Sequence, residues 1–165
     1  MPEKRTIERA RKDARQGKSP STQAGEFVRE EMHHIREGKH GARSTKQAIA
    51  IGLSKARRSG VKLRAPKKGT ASAETRRSAA KDIRKGRGGK KKTSARRSRA
   101  VRGALKREGR QAASPRALAR QARGAARRRT AASRSASARK ASRTKGPAKR
   151  SAAARKGART RARRR

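Results

Sequence analysis

Large apolar side chains are unevenly distributed along this chain, and their distribution limits what it can fold into. Of fifteen Val, Ile, Leu, Met and Phe residues, eleven precede Pro66 and four follow it, namely Ile83, Val101, Leu105 and Leu118. A folded core needs such side chains to bury, so the sequence predicts at most one small domain, within the first 65 residues. The remaining hundred residues combine few apolar side chains with a high net charge, which is typical of disorder.

The charged residues divide at the same place. The chain has 165 residues and carries 55 Lys and Arg against 10 Asp and Glu, a formal net charge of +45. Residues 1–65 hold 17 basic and 7 acidic side chains, whereas residues 66–165 hold 38 and 3. Such an excess attracts polyanions, and counterion release from a nucleic acid then supplies affinity. The predicted partner is therefore nucleic acid, and the single aromatic residue, Phe27, favours duplex DNA because it offers no stacking platform for unpaired bases.

Capping and termination signals predict helices in the first part of the chain. Residues 1–18 are predicted to form an N-terminal helix, and residues 23–37 a second helix. A third helix is predicted to begin at Ser44, in a capping box, and to end at Gly60. Residues 19–65 are therefore predicted to form a helical hairpin domain that packs on itself or on a second copy in a homodimer. A helix–turn–helix that reads a DNA groove is less favoured, because the connection between the helices is long.

After Pro66 the composition is dominated by Arg, Lys, Ala, Ser and Gly. Three stretches, near 72–85, 94–108 and 115–129, contain helix-favouring residues, but like charges should oppose helices there until phosphates neutralise them. The predicted fold class is therefore mainly α. It consists of a small helical hairpin or three-helix head followed by a long disordered or conditionally helical basic tail over residues 66–165.

The chain repeats itself near its end. Residues 133–144 match residues 149–160 at a period of 16, with eight of twelve positions identical. Arg and Lys recur at the same spacing in both copies, which indicates that charge spacing is repeated rather than a constellation of specific side chains.

Candidate DNA contacts are the basic side chains of the hairpin connection, of the third helix and of the basic runs after Pro66. Because acidic residues are scarce around these runs, phosphates are their expected partners. The predicted set is Lys39, Arg43, Lys46, Arg57, Arg58, Lys67, Lys68, Arg84, Lys85, Arg87, Lys90, Lys91, Lys92, Arg127, Arg128, Arg129, Arg163, Arg164 and Arg165.

No constellation of residues indicates catalysis or a bound cofactor. Cysteine is absent and Asp13 and Asp82 are the only aspartates, so neither thiolate chemistry nor a Ser-His-Asp arrangement is expected. Residues 30–34 (EEMHH) contain E-x-x-H twice, but one helix in a short head cannot supply a di-metal ligand set. Surface pairing such as Glu30 with His34 is favoured instead. The sequence predicts no enzyme, no metal, no cofactor and no small-molecule substrate.

A resemblance adds to these predictions. Residues 21–63 (STQAGEFVREEMHHIREGKHGARSTKQAIAIGLSKARRSGVKL) resemble a family of small basic bacterial proteins of unknown function, some of them labelled plasmid stabilisation or DNA-binding proteins. The tail is similar in composition to linker-histone tails, although it favours Arg over Lys and has few prolines. The resemblance implies an association with DNA and identifies no functional residue.

The predicted function is sequence-nonspecific DNA binding by phosphate neutralisation, as a histone-like, nucleoid-associated protein in the cytoplasm. One alternative is an RNA- or ribosome-associated basic protein. Another is a plasmid maintenance factor that works through a protein partner. No membrane insertion is expected, since the longest apolar run, residues 48–53, is too short to span a bilayer.

Overall fold

The described residues of this chain fold into helices joined by turns and irregular segments. The computed structural model describes residues 2–88 and 94–163, with side chains at all of these positions except 144 and 145. The described helices are α1 (Lys4–Arg15), α2 (Pro20–Arg36), α3 (Thr45–Arg58), α4 (Ala73–Arg87), α5 (Ala95–Arg107), the 3-10 turn η1 (Gln111–Ala113), α6 (Pro115–Arg127) and α7 (Ala131–Ala162). Contacts divide the chain into two compact units, residues 1–121 and 122–165.

The expectation of a small helical head followed by a long disordered or conditionally helical tail is wrong. The three stretches near 72–85, 94–108 and 115–129 form α4, α5 and α6, and both α4 and η1 contact α3. The physical reason is that small side chains and ion pairs replace the large apolar residues that this region lacks. Helix α4 buries Ala79, and its Asp82 Oδ1 accepts a hydrogen bond from Arg58 Nε at 2.7 Å.

The first three helices begin and end through local signals. Ser44 Oγ accepts a hydrogen bond from the Gln47 amide at 3.2 Å, as in a capping box. Gln47 Oε1 reaches one residue further back and accepts from the Arg43 amide at 2.8 Å. Helix α2 begins at Pro20, three residues before the predicted start, because Ser19 caps it and proline suits its first turn. Gly60 ends α3 in a left-handed conformation with φ of 88°.

Two apolar clusters hold the first unit together. One joins α1, α2 and α3 through Ala10, Ala24, Phe27 and Ala56. The other lies around the far end of α2 and the start of α3, where the buried residues are Met32, Ile35, Ala42, Ala48, Ala112 and Ala113. Because Ala112 and Ala113 belong to η1, this second cluster includes residues from the part of the chain that was expected to be a tail.

Residues 105–113 are bound to the α2–α3 connection (residues 37–44) and its flanks by backbone hydrogen bonds. The Gly41 amide donates to the Leu105 carbonyl at 2.8 Å, and the Ala42 amide donates to the Gly109 carbonyl at 3.1 Å. Thr45 Oγ1 donates to the Ala112 carbonyl at 2.7 Å. A Cβ at position 41 would overlap the Glu108 carbonyl, so the close approach of the two segments requires glycine there.

None of the helices among the described residues combines the length and the apolar character needed to cross a membrane.

The packing of α2 against α3 depends on a second close approach. A Cβ added at Gly52 of α3 would lie 2.7 Å from Val28 Cα and 3.0 Å from Val28 Cγ2 on α2. We expect Gly52→Ala to lower the free energy of unfolding by about 1–3 kcal/mol, because the two helices must separate. Urea unfolding followed by far-ultraviolet circular dichroism measures this change.

The matched control is Gly25→Ala, at a glycine of α2 where an added Cβ meets nothing within 4 Å. This change should raise stability by up to about 1 kcal/mol, since alanine loses less backbone entropy in a helix. Equal stability of the two variants would contradict the close helix contact.

Glu3 connects α1 to α2. Its Oε1 lies 2.8 Å from His34 Nε2, and this hydrogen bond is the main cause that lowers the pKa of the Glu3 carboxyl. A carboxyl with a lowered pKa in the folded state stabilises the protein above its unfolded pKa, and this stabilisation is lost as the pH falls. Glu3→Gln should therefore be less stable than the parent protein near about pH 6, and the difference should shrink as the pH falls below the ordinary Glu pKa of about 4.3. Thermal unfolding across this range measures it, and Glu8→Gln, at an exposed position of α1, should show no such difference.

Candidate nucleic-acid interface

Helix α4 presents a basic surface opposite its packed face. Its Gly86 lies so close to α3 that an added Cβ would overlap the Arg57 carbonyl, and Ala79 is buried on the same side. Helical periodicity places Arg77, Lys81 and Arg84 on the other side, where all three are exposed. We call these three residues the α4 stripe. Sequence reasoning predicted Arg84 but missed Arg77 and Lys81, which a search for basic residues at a spacing of three or four would have found.

Helix α3 offers fewer cations to solvent than the sequence predicted. Arg57 is buried, and burial lowers the pKa of its guanidinium. Arg58 remains exposed, but its Nε donates to Asp82. Lys46 is exposed near the start of the helix. Because α2, α4 and η1 all contact α3, this helix does not stand free in the way that a groove-reading helix must.

The α2–α3 connection also carries predicted contacts. Lys39 Nζ lies 2.9 Å from Glu37 Oε2 and 3.5 Å from Glu3 Oε1. The hydrogen bond to Glu37 raises the pKa of the Lys39 ammonium. This side chain therefore stays charged and is partly neutralised by carboxylates of the protein itself. Arg43 is exposed.

Helix α5 adds cations that were not predicted. None of its residues is buried, and Arg99, Arg102 and Lys106 follow the spacing that places side chains on one side of a helix. Arg102 Nη2 donates to Ser98 Oγ one turn earlier at 2.8 Å. The sequence-based prediction missed these three residues because it considered contiguous runs of basic residues and not basic residues spaced three or four apart.

The second unit, residues 122–165, consists mainly of α7 and carries only positive formal charge. It contains 18 basic and no acidic side chains. The 32 residues of α7 include 11 Lys and Arg, spread around the whole helix. At a rise of 1.5 Å per residue, α7 has one positive charge per about 4.4 Å, close to the phosphate spacing of about 3.4 Å along one DNA strand.

Helix α7 is interrupted at the boundary between its two sequence repeats. Gly146 has φ of 65° and ψ of 170°, which is not helical, and Pro147 follows it. The repeat copies, residues 133–144 and 149–160, lie on either side of this interruption. Each copy therefore forms a helical segment, and equivalent arginines such as Arg139 and Arg155 recur in both.

The structure places the predicted contacts in three groups. Only Arg57 is buried. Lys90, Lys91, Lys92, Arg164 and Arg165 lie outside the described residues. The remaining predicted residues are exposed, namely Lys39, Arg43, Lys46, Arg58, Lys67, Lys68, Arg84, Lys85, Arg87, Arg127, Arg128, Arg129 and Arg163.

Comparison with known proteins finds a match to one family model. Residues 15–69 match the model of a family of unknown function, DUF6496. The match runs from the end of α1 through α2 and α3 to the turn before α4, and it agrees with the resemblance of residues 21–63 to a family of unknown function. No curated protein and no solved structure matches the chain.

Proposed function

We propose that this protein binds duplex DNA without sequence preference, by neutralising backbone phosphates. The observation that carries the proposal is α7, a helix with 11 basic and no acidic side chains, of which the structure buries none among those it describes. Helix α7 contains no Asp or Glu, and the phosphates of a nucleic-acid backbone supply the negative charge that Arg and Lys attract.

The first unit contributes through its own exposed cations. Its acidic side chains are engaged largely in the folded interior, as Asp82 is with Arg58 and Glu31 with Lys55. The α4 stripe and the exposed residues of α5 therefore face solvent with little compensating charge on their own helices. Both units thus offer surfaces suited to phosphate, and neither presents an aromatic side chain for reading bases.

Helix dimensions favour DNA over RNA. An α-helix with its side chains is about 10–12 Å across, which the major groove of B-DNA admits at about 12 Å. The major groove of A-form RNA is deep and narrow and excludes such an element. Binding to DNA without base readout corresponds to a histone-like, nucleoid-associated role in the cytoplasm. The homodimer through residues 19–65 stays a prediction.

The contribution of α7 can be measured by removing charge at equivalent repeat positions. The fourfold variant Arg139→Gln, Arg143→Gln, Arg155→Gln and Arg159→Gln keeps helix-favouring residues. We expect the slope of log K against log salt to become shallower by up to about 3.6, since each phosphate contact contributes about 0.9. Fluorescence anisotropy with two unrelated DNA duplexes and a matched RNA duplex, over about 50–500 mM salt, measures the slope.

The matched control replaces the same four arginines by lysine, which keeps the charge. It should retain the parent slope and bind both DNA duplexes equally. An unchanged slope in the glutamine variant would exclude α7 from the interface. Loss of binding in the lysine variant would show that the interface recognises guanidinium groups specifically, which contradicts binding by phosphate neutralisation alone. Tighter binding to the RNA duplex would favour an RNA partner.

The α4 stripe should contribute in the same manner. Arg77→Gln, Lys81→Gln and Arg84→Gln together are expected to make the salt slope shallower by up to about 2.7. The same anisotropy measurement applies, with Arg77→Lys and Arg84→Lys as the charge-preserving control. A parent-like slope in the glutamine variant would exclude the α4 stripe from the interface.

A further inference from the structure

A group of Glu and His side chains lies beneath the α2–α3 connection, apart from the basic surfaces. Glu31 and His34 belong to α2, and His40 belongs to the connection. One ligand atom from each of the three lies within 4.8 Å of the others. We propose that Glu31, His34 and His40 form a binding site for a divalent transition metal of the zinc class. This site is independent of the proposed DNA binding.

The three side chains are already close to coordinating positions. His40 Nε2 lies 3.0 Å from Glu31 Oε1, and the rings of His34 and His40 meet edge to face at an interplanar angle of 82°. Zn–N and Zn–O bonds of about 2.0–2.2 Å place tetrahedral ligand atoms about 3.4 Å apart. Bringing all three atoms to these distances therefore requires a shift of at most about 1.4 Å.

Each imidazole is oriented by an acceptor on one of its nitrogens. His40 Nδ1 lies 3.0 Å from the Gly41 carbonyl oxygen, and His34 Nε2 lies 2.8 Å from Glu3 Oε1. Since a carbonyl or carboxylate oxygen only accepts, each of these nitrogens donates to it. The metal would bind the other nitrogen of each ring, His34 Nδ1 and His40 Nε2. His40 Nε2 lies 3.0 Å from the Glu31 carboxylate, which also only accepts, so zinc would replace a proton between these two atoms, as metal binding to histidine releases protons. Metal-binding histidines in proteins typically have this arrangement.

The charge around the group favours a cation. Glu31 is 1% exposed, and the side chain of Glu30 beside it is also buried. Lys55 Nζ lies 2.6 Å from Glu31 Oε2 as an ion pair, without the directional geometry of a hydrogen bond. Glu31 Oε1 faces His40 instead. Lys55 thus compensates one carboxylate oxygen while the other remains directed at the two histidines.

The ligand types identify the class of metal. Two imidazole nitrogens and one carboxylate oxygen suit zinc and its neighbours, whereas magnesium and calcium prefer oxygen ligands alone. Three protein ligands leave a fourth tetrahedral position for water.

The sequence pattern contained two of the three proposed ligands. Glu31 and His34 form one of the E-x-x-H pairs that a single helix could not complete. The third donor comes from the connection, which turns back at Gly38, where φ is 77°, and brings His40 over α2.

The proposal is tested by titrating zinc into the untagged full-length chain and measuring binding by isothermal titration calorimetry. We expect one zinc ion per chain, and His40→Ala should weaken binding by at least about 100-fold, since even residues that only orient zinc ligands account for about 10–100-fold. His34→Gln provides a second test if His40→Ala alters the circular dichroism spectrum. The matched control is His33→Ala, because His33 is exposed on the same helix and lies outside the group.

The site is supported if His33→Ala binds zinc with the affinity of the parent chain while His40→Ala and His34→Gln bind it much more weakly. The proposal is overturned if the parent chain binds no zinc, if His34→Gln and His40→Ala bind as tightly as the parent, or if His33→Ala weakens binding as much as they do. Magnesium in place of zinc should bind no more than weakly, and equal affinity for both ions would also overturn it.

Discussion

The buried carboxylate of Glu31 is the interaction on which the first unit depends. It contacts Lys55 of α3 at 2.6 Å and His40 of the α2–α3 connection at 3.0 Å. A charge buried without partners costs several kcal/mol, so α3 and the connection are held where they supply these partners. Helix α4 and η1 then pack on the helix pair that Glu31 holds together, and the chain after Pro66 becomes part of the folded unit.

Acidic residues are few in this protein, and the two units differ in how many they contain. All 10 precede residue 109, and residues 122–165 contain none. Within the first unit they neutralise cations in pairs such as Asp13 with Lys18 at 2.6 Å and Glu26 with Arg9 at 3.0 Å. The second unit contains no Asp or Glu that could form such pairs, which is why a polyanion is the proposed ligand of α7.

The proposed metal site lies in the first unit, beside two of the predicted DNA contacts. The connection that carries His40 also carries Lys39 and Arg43, and residues 105–113 are hydrogen-bonded to it. A metal on His40 would stabilise the connection in proportion to its affinity for the folded state. The proposed DNA contacts of α4 and α7 lie on other elements, so the two proposals can be tested separately.

Local interactions made part of the structure predictable from sequence. Ser44 and Gly60 mark the beginning and the end of α3 through hydrogen bonds within a few residues. These signals can therefore be recognised without knowing the fold. Net charge needs no geometry either, and it alone indicated a polyanionic partner.

Only the tertiary structure decided which parts of the chain meet. The contact of Gly41 with Glu108 joins residues far apart in sequence. The sequence marks this contact only by a glycine, and a glycine can equally indicate a flexible segment. Arg57 and Arg58 are adjacent and alike in sequence, yet the fold buries the first, whose Nη2 donates to the Arg64 carbonyl at 3.5 Å, and leaves the second exposed. Sequence determined the caps and the charge, because these act locally or without direction. Burial and the Glu31 group required the fold, because they arise from contacts between distant residues.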